Sequence, residues 1–304
     1  MTSPSAKRHS AVRVVGLALL LLVSACQPAP KSFDGQRALK YAAAQCAFGP
    51  RPVGSDAHTK TADYIARVLQ GNGWEVENQD FAYEGQALRN IIGKKGKGPI
   101  IVLGTHYDTR PIADKDPSDR SQPVMGANDG ASGVAVLLEL SRVLDERATD
   151  QATIWLTFFD AQDRDGVSGW SCCMGSSHLA NTIGGGLTDR PEYVIVLDMV
   201  GDADQQFYYE WSSSLWLQEK IWETANAQGY GPYFHDTHRY SITDDQTPFL
   251  NWGMNAAVLI DFDYPYWHTR YDTLDKISAD SLQRVGDVME SLLEEEPFSA
   301  GPVQ

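Results

Sequence analysis

The sequence is poor in cysteine and in basic residues, and each shortage excludes a class of protein. Its 304 residues include four cysteines, Cys26, Cys46, Cys172 and Cys173, and none of them forms a CxxC spacing. A zinc site built from cysteine pairs is therefore not expected. The formal net charge is -15, with 25 Lys and Arg against 40 Asp and Glu. Because nucleic-acid-binding surfaces need a basic patch, the sequence predicts no nucleic-acid partner.

Long apolar runs are also missing, since none reaches the ~20 residues that a membrane-spanning helix needs. The apolar stretch at 14–23 follows a basic front and ends in Ser24-Ala25-Cys26. This order is typical of an export signal. The small-small-Cys ending resembles the lipobox of bacterial lipoproteins, in which the cysteine becomes the lipidated first residue. An ordinary cleaved signal with an incidental Cys26 is the alternative.

These features predict a lipoprotein signal peptide at 1–25, a tether at 26–37 and one large folded domain at 38–304. The mature protein is then expected to be a bacterial cell-envelope lipoprotein, held at the membrane through lipid on Cys26 and facing the periplasm or the exterior. An exported protein can hold a disulfide. Cys46 could pair with either Cys172 or Cys173, and the sequence does not choose between them.

Hydrophobic periodicity predicts helices that alternate with strands. Helices are predicted at 38–46, at 56–71 after Ser55, and at 132–146, 215–228 and 281–295. Strands are predicted at 74–83, 90–92 and 100–103, and further apolar runs lie at 154–159, 193–197 and 256–260. We expect the strand at 90–92 to pair with the strand at 100–103. The alternation indicates an α/β fold with a mostly parallel sheet covered by helices.

Metal-capable side chains recur where predicted strands end. The candidates are His106, Asp129, Asp163, Asp198 and His268. All except Asp129 follow an apolar strand, and Asp129 lies in the small-residue segment that opens the helix at 132–146. Loops at the ends of a buried sheet are where open α/β proteins place their chemistry. Carboxylate and imidazole groups are zinc ligands, so this repeated placement indicates one metal site.

Five ordered motifs carry a resemblance to a known family. They are Gly104-Thr105-His106-Tyr107-Asp108, the segment 126–133, Phe158-Phe159-Asp160-Ala161-Gln162-Asp163, Leu197-Asp198-Met199, and His268-Thr269 with Asp272-Thr273-Leu274-Asp275. This set resembles the co-catalytic zinc aminopeptidase family over roughly 41–295. Trp170, Trp267 and the Asp244-Asp245 pair resemble its glutaminyl cyclase branch most. The resemblance implies a mixed sheet flanked by helices.

The resemblance also implies how the candidate residues divide their roles. In the cyclase type, Asp129, Asp163 and His268 bind one zinc ion. In the two-zinc peptidases, Asp129 bridges, and His106 with Asp198 holds the second ion. All five positions hold competent ligands here, so the sequence leaves the zinc count open.

Gln162 departs from the family pattern. The family has a glutamate at this position, which moves a proton during catalysis, and a carboxamide cannot accept and return a proton near neutral pH. The site thus lacks its expected proton carrier, and Gln162→Glu is predicted to raise turnover. Asp163, in place of the more common glutamate ligand, resembles the bacterial cyclases.

Further residues are expected in the pocket. Asp198 and Asp244 are candidates, beside Gln162, for catalytic roles; Asp244 could accept a hydrogen bond from a substrate amine or a neighbouring carboxyl group. Trp170, Tyr264 and Trp267 could line a site for a peptide's N-terminal side chain, although core packing is an equal interpretation for Tyr264.

Three functions follow from these predictions, with peptide or protein N-termini as partners in each. The first is a zinc-dependent glutaminyl-peptide cyclotransferase, which forms N-terminal pyroglutamate and releases ammonia. The second is a zinc metalloaminopeptidase. The third is a zinc-containing peptide-binding lipoprotein that has lost turnover, and Gln162 favours this last reading more than any other residue does.

Overall fold

The computed structural model describes residues 1–2, 32–185 and 190–294. The strands are β1 (Glu75–Tyr83), β2 (Gln86–Gly96), β3 (Ile100–His106), β4 (Thr153–Phe159), β5 (Tyr193–Asp198), β6 (Phe207–Glu210), β7 (Phe234–Tyr240) and β8 (Ala256–Ile260). The helices are α1 (Gly35–Phe48), α2 (Asp56–Gly71), α3 (Ala131–Val143), α4 (Glu146–Thr149), α5 (Met174–Gly184), α6 (Leu215–Ala227), α7 (Thr247–Asn251) and α8 (Ala279–Glu294). Residues 3–25 of the predicted signal, and 26–31 of the predicted tether, lie outside the described ranges.

The central sheet has six strands in the order β1-β2-β4-β3-β5-β8. Strands β4, β3, β5 and β8 are parallel, and β2 and β1 add an antiparallel edge. The predicted mixed, mostly parallel sheet is confirmed. The predicted pairing of 90–92 with 100–103 is wrong, because β2 pairs with β1 and β4. Both edges of β3 are taken by the parallel strands β4 and β5, as suits a strand that is buried on both faces.

Alternating side chains of the parallel strands build two apolar layers, one on each face of the sheet. On one face, Ile101 and Leu103 of β3 pack in a cluster with residues of α1, α2, α3, α6 and α8. On the other face, Val102 packs in a cluster with residues of α5 and α7. The two-residue period of a strand sends successive side chains to opposite faces, so continuous apolar strands need helices on both.

The folded domain begins before the predicted boundary at residue 38. Helix α1 begins at Gly35, and the side chain of Asp34 caps it by accepting a hydrogen bond from the Arg37 N–H. Phe33 is buried. Residues 33–37 thus belong to the fold rather than to a free tether, because capping and burial both stabilise this turn. None of the described helices is long and apolar enough to span a membrane.

The helix predicted at 132–146 is interrupted. Leu144 leaves helical geometry, with φ -58° and ψ 117°. Asp145 then accepts a hydrogen bond from the Arg147 N–H and starts the short helix α4. An aspartate that caps a new helix competes with continuation of the old one.

The disulfide joins Cys172 to Cys173, and Cys46 is a free thiol. The two pairings considered from the sequence are therefore both wrong. Cys46 lies on α1, which packs with α3 and α8. Cys173 caps α5, which packs with α7 on the opposite face of the sheet. The sheet thus separates Cys46 from the other two cysteines.

Candidate metal centre

The carboxyl edge of the parallel strands gathers all five predicted metal ligands. His106 is the last residue of β3, and Asp198 is the last residue of β5. Asp163 lies in the loop after β4, and His268 lies in the loop after β8. Asp129 precedes α3, whose N-terminus points at the same edge. Parallel strands end at a common edge, which explains how residues distant in sequence meet here.

The ligands form two groups that share Asp129. The first is His106, Asp129 and Asp198, and the second is Asp129, Asp163 and His268. Within each group the ligand atoms lie within 4.8 Å of one another. His106 Nε2 is 3.1 Å from Asp129 Oδ1 and 3.2 Å from Asp198 Oδ1. His268 Nε2 is 3.1 Å from Asp163 Oδ1 and 3.9 Å from Asp129 Oδ2.

This donor set fits a divalent cation. Asp129, Asp163 and Asp198 are all buried. Asp129 Oδ2 and Asp163 Oδ2 have no hydrogen-bond partner among the described residues. Burial and the nearby Asp129 raise the pKa of Asp163 to about 6. Buried carboxylates with free oxygens require a cation or a proton, and two carboxylates with one imidazole match a zinc site with an open position.

The two histidines respond to this negative environment. Burial alone would lower the pKa of His106, but Asp198, Asp108 and Asp129 raise it well above its usual value. Burial likewise opposes the charged form of His268, and Asp163 and Asp129 raise its pKa. The carboxylates thus favour positive charge at both rings. Metal binding displaces these protons, because a histidine ligand must be neutral.

Two carboxylates lie behind the ligands: Asp108 is buried, and Asp114 is partly exposed. Asp108 accepts hydrogen bonds from the backbone N–H groups of Gln162 and Asp163, each at 3.1 Å, and its Oδ1 is 3.5 Å from His106 Nδ1. Asp114 Oδ1 is 3.2 Å from His268 Nδ1. A carboxylate behind a ligand histidine fixes the orientation of the ring. Asp108 belongs to the first of the five sequence motifs, whereas nothing in the sequence marked Asp114.

Two further residues fix the loop of Asp129. Asp272 accepts hydrogen bonds from the N–H groups of Asn128 and Asp129 at 2.8 and 3.1 Å. The guanidinium of Arg51 is fully buried and donates to the carbonyls of Tyr107, Met125 and Gly126. Sequence reasoning did not identify Arg51, because a single arginine in a loop carries no periodic signal.

Backbone geometry supports the same loops. Gly130 has a φ of +93°, and a Cβ atom there would lie 2.9 Å from the Asp108 carbonyl oxygen and 3.2 Å from His106. Only glycine accepts this conformation at low cost. Three non-glycine residues at the site are also left-handed: Ala161 (φ 56°), Met199 (φ 45°) and His268 (φ 57°). Such conformations cluster at functional sites, where the surroundings enforce them.

A cavity of about 410 Å³ opens onto the metal ligands. Its walls include Asp129, Asp163, Asp198 and His268, together with the apolar side chains of Ile242, Phe262 and Trp267. Trp267 packs on His268, with ring centroids 4.1 Å apart. This volume falls in the range of sites for small ligands, ~300–1,000 Å³.

The other two predicted pocket aromatics lie elsewhere in the described structure. Trp170 is buried against Tyr83, with ring centroids 5.0 Å apart, and Arg164 lies over its ring. Tyr264 is buried, and its hydroxyl donates to Asp272 at 2.7 Å. Neither contributes to the lining of the cavity that the described residues form. Packing accounts for Trp170, and support of the Asp129 loop accounts for Tyr264.

Gln162 and Asp244 meet at the cavity wall. Gln162 Nε2 donates a hydrogen bond to Asp244 Oδ1 at 3.0 Å, and the Asp245 N–H donates to the same oxygen at 2.6 Å. Asp244 Oδ2 has no partner among the described residues. Burial, with a contribution from Asp198, raises the pKa of Asp244 to about 7. A carboxyl group that titrates near neutral pH therefore lies directly against the position where the family has its glutamate.

Known proteins resemble this chain in sequence and in fold. The model of Peptidase family M28 matches residues 90–293. The chain belongs to peptidase family M28. It is 30% identical over 231 residues to aminopeptidase YwaD of Bacillus subtilis (strain 168). The aligned segment covers 68% of this chain but 44% of that protein. The chain thus spans less than half the length of this relative.

Two solved structures match over nearly their whole length. Bacteroides thetaiotaomicron glutaminyl cyclase bound to N-acetylhistamine has 31% identity and a TM-score of 0.81, covering 88% of this chain and 99% of that one. A Zn-dependent exopeptidase from Parabacteroides distasonis ATCC 8503 has 31% identity and a TM-score of 0.80, covering 88% and 100%. The resemblance and the fold class predicted for this M28 chain are confirmed. The matches support an enzyme of cyclase or peptidase type that uses zinc.

Proposed function

We propose that this M28 protein is a zinc-dependent glutaminyl-peptide cyclotransferase that binds a single zinc ion through Asp129, Asp163 and His268. One observation carries the proposal: these three ligands line the cavity, whereas His106 does not and is 1% exposed. His106 is instead within hydrogen-bond distance of Asp198 at 3.2 Å. A solved glutaminyl cyclase is among the structures that this chain matches over nearly their whole length, as is a Zn-dependent exopeptidase.

The substrate would be a peptide with an N-terminal glutamine. Its amine attacks the side-chain carbonyl carbon, a carbon–nitrogen bond forms, and the bond to the side-chain nitrogen breaks with release of ammonia. Zinc at this site supplies a Lewis acid that polarises the carbonyl oxygen. The apolar wall of Ile242, Phe262 and Trp267 holds the side chain and limits access of water.

Asp244 would carry the proton that Gln162 cannot carry. Its Oδ1 is held by the Gln162 side chain and the Asp245 N–H, which leaves Oδ2 free to accept a proton from the attacking amine. The same carboxyl group then returns this proton to the leaving nitrogen. A pKa of about 7 suits both steps, because an acid–base catalyst works best when its pKa is near the working pH.

Asp198 would orient the substrate amine. It lines the cavity, and its Oδ1 contacts His106. Burial raises its pKa, while the adjacent His106 favours its charged form. A carboxylate held in this way can accept a hydrogen bond from an amine before the amine attacks.

A metalloaminopeptidase is the second candidate, and the compact group of His106, Asp129 and Asp198 favours it. This group has the donors for a second ion. An assay on N-terminal glutaminyl and leucyl peptides separates the two functions. Release of ammonia and formation of pyroglutamate support the cyclase, whereas hydrolysis of the leucyl peptide supports the peptidase. Zinc binding without either reaction would indicate the peptide-binding role.

The location of the protein is also part of the proposal. The order of basic residues, apolar stretch and Ser24-Ala25-Cys26 supports export and lipid attachment at Cys26. A lipid anchor would hold the active site near the membrane surface, where it could act on N-termini of exported peptides and proteins.

A further inference from the structure

A third group of ligand-type atoms lies beside the cavity and is separate from the two groups of predicted zinc ligands. It consists of Cys173, Asp244 and Asp245, and one ligand atom from each lies within 4.8 Å of the others. All three residues are buried. Only Asp244 faces the cavity. The group therefore adjoins the active site without sharing a zinc ligand.

The two carboxylates have free oxygens. Asp244 is 3% exposed and Asp245 is fully buried, yet Oδ2 of each lacks a hydrogen-bond partner among the described residues. The Oδ1 atoms are held, that of Asp245 by the Ser176 hydroxyl at 2.5 Å and that of Asp244 by Gln162. A buried oxygen without a partner is costly. Burial and the charge of Asp198 raise the pKa of Asp244 to about 7, and burial and the charge of Asp244 raise the pKa of Asp245 to about 8.

The third member of the group is blocked by oxidation in this structure. Cys173 is bonded to Cys172, and a disulfide sulfur does not act as a thiolate ligand. Cys172 is only partly buried and lines the cavity, so a small reductant can reach the bond. In thiol–disulfide exchange, a dithiol gives two electrons and two protons to the pair and becomes a disulfide itself.

We infer that reduction of the Cys172–Cys173 disulfide opens a second metal site, in which the Cys173 thiolate and the carboxylates of Asp244 and Asp245 bind a thiophilic divalent ion. The thiol loses its proton on binding. A thiolate with two carboxylates suits ions such as Zn²⁺ or Cd²⁺. Occupation of this site removes Asp244 from proton transfer, a consequence that rests on the proposed function.

The test is a Cd²⁺ titration of the zinc-loaded, full-length protein in its oxidised form and after reduction and removal of the reductant. The five zinc-ligand candidates contain no sulfur, so an ultraviolet thiolate-to-cadmium band reports the new site. The reduced protein is expected to bind one additional Cd²⁺ per chain with this band, and the oxidised protein is expected to lack both. Absence of the band after reduction would overturn the inference.

Matched variants locate the site. Cys173→Ser should abolish the band, Cys46→Ser should keep it, and Asp245→Asn should weaken Cd²⁺ binding at least tenfold. Cys172→Ser leaves Cys173 free, so this variant should bind Cd²⁺ without reduction. A band that persists in Cys173→Ser would refute the assignment. Retained zinc content and circular dichroism show that each variant is folded.

The catalytic consequence has its own readout. Reduced, cadmium-loaded wild type should lose cyclisation, whereas Cys173→Ser treated in the same way should keep the activity it has without cadmium. The band is measured without substrate. A failure of the proposed cyclase function would therefore leave the metal-binding result intact.

Discussion

Replacement of Asp244 by asparagine tests the proposed proton path. The two side chains have nearly the same size, so packing around the contacts with the Gln162 side chain and the Asp245 N–H should change little. The amide cannot accept and release a proton. Loss of general acid–base catalysis lowers rates about 10²–10⁴-fold, which corresponds to ~2.7–5.4 kcal/mol of transition-state stabilisation. We expect kcat for cyclisation to fall by this factor while zinc content stays unchanged.

The pH profile gives a second, independent readout. Asp244 must be ionised to accept a proton, and its pKa is raised to about 7. The active form is therefore present above this pKa and is lost as the pH falls through it, about tenfold per pH unit. Zinc held by Asp129 favours the carboxylate form and moves this inflection downward.

Wild type should thus show a rising limb in kcat at or below about pH 7. The pH profile of Asp244→Asn should lack this limb. It should show only the inflection from ionisation of the substrate amine, near pH ~7.7–8.0. An Asp244→Asn variant with wild-type kcat and the same inflection would refute the reasoning. Asp165→Asn is a matched control, because Asp165 is an exposed aspartate that also lines the cavity.

Three further predictions address the other parts of the account. Gln162→Glu should raise the rate of cyclisation about tenfold, because it restores a titratable group. In the Gln162→Glu background, Asp244→Asn should lower this rate less than tenfold. Independent, multiplicative effects of the two changes on the rate would contradict a shared role of the two positions in proton transfer. His268→Ala should lower zinc occupancy more than His106→Ala, as measured by metal analysis, whereas equal losses and two zinc ions per wild-type chain would favour the peptidase arrangement. Cys26→Ser should release the protein from the membrane fraction, because stable anchoring needs the attached acyl chains; a soluble wild type with an unmodified first residue would contradict the anchor.

The sequence predicted the sheet well because its strands are buried on both faces. Continuous apolar runs such as 193–197 have few alternative interpretations. The order of the strands was harder to predict, because no local sequence feature specifies that β2 pairs with β4 rather than with β3. The helix break at Leu144 was missed because Asp145 caps a new helix within an apolar pattern that would otherwise continue.

The positions of the metal-ligand candidates followed from their place at strand ends, but their supporting contacts did not. Arg51 and Asp114 act through contacts with residues distant in sequence, which leave no periodic signal in the chain. The left-handed conformation of His268 depends on its tertiary surroundings. Trp170 looked like a pocket residue from its place after Asp163, yet its ring is directed into a small core beside Tyr83. The sequence did not predict the vicinal disulfide of Cys172 and Cys173.

The central claim is tested most directly by incubating purified protein with an N-terminal glutaminyl peptide and with a leucyl peptide, and by measuring zinc on the same sample. The account predicts pyroglutamate and ammonia from the first peptide, no hydrolysis of the second, and one zinc per chain. Hydrolysis of the leucyl peptide with two zinc ions per chain would contradict it.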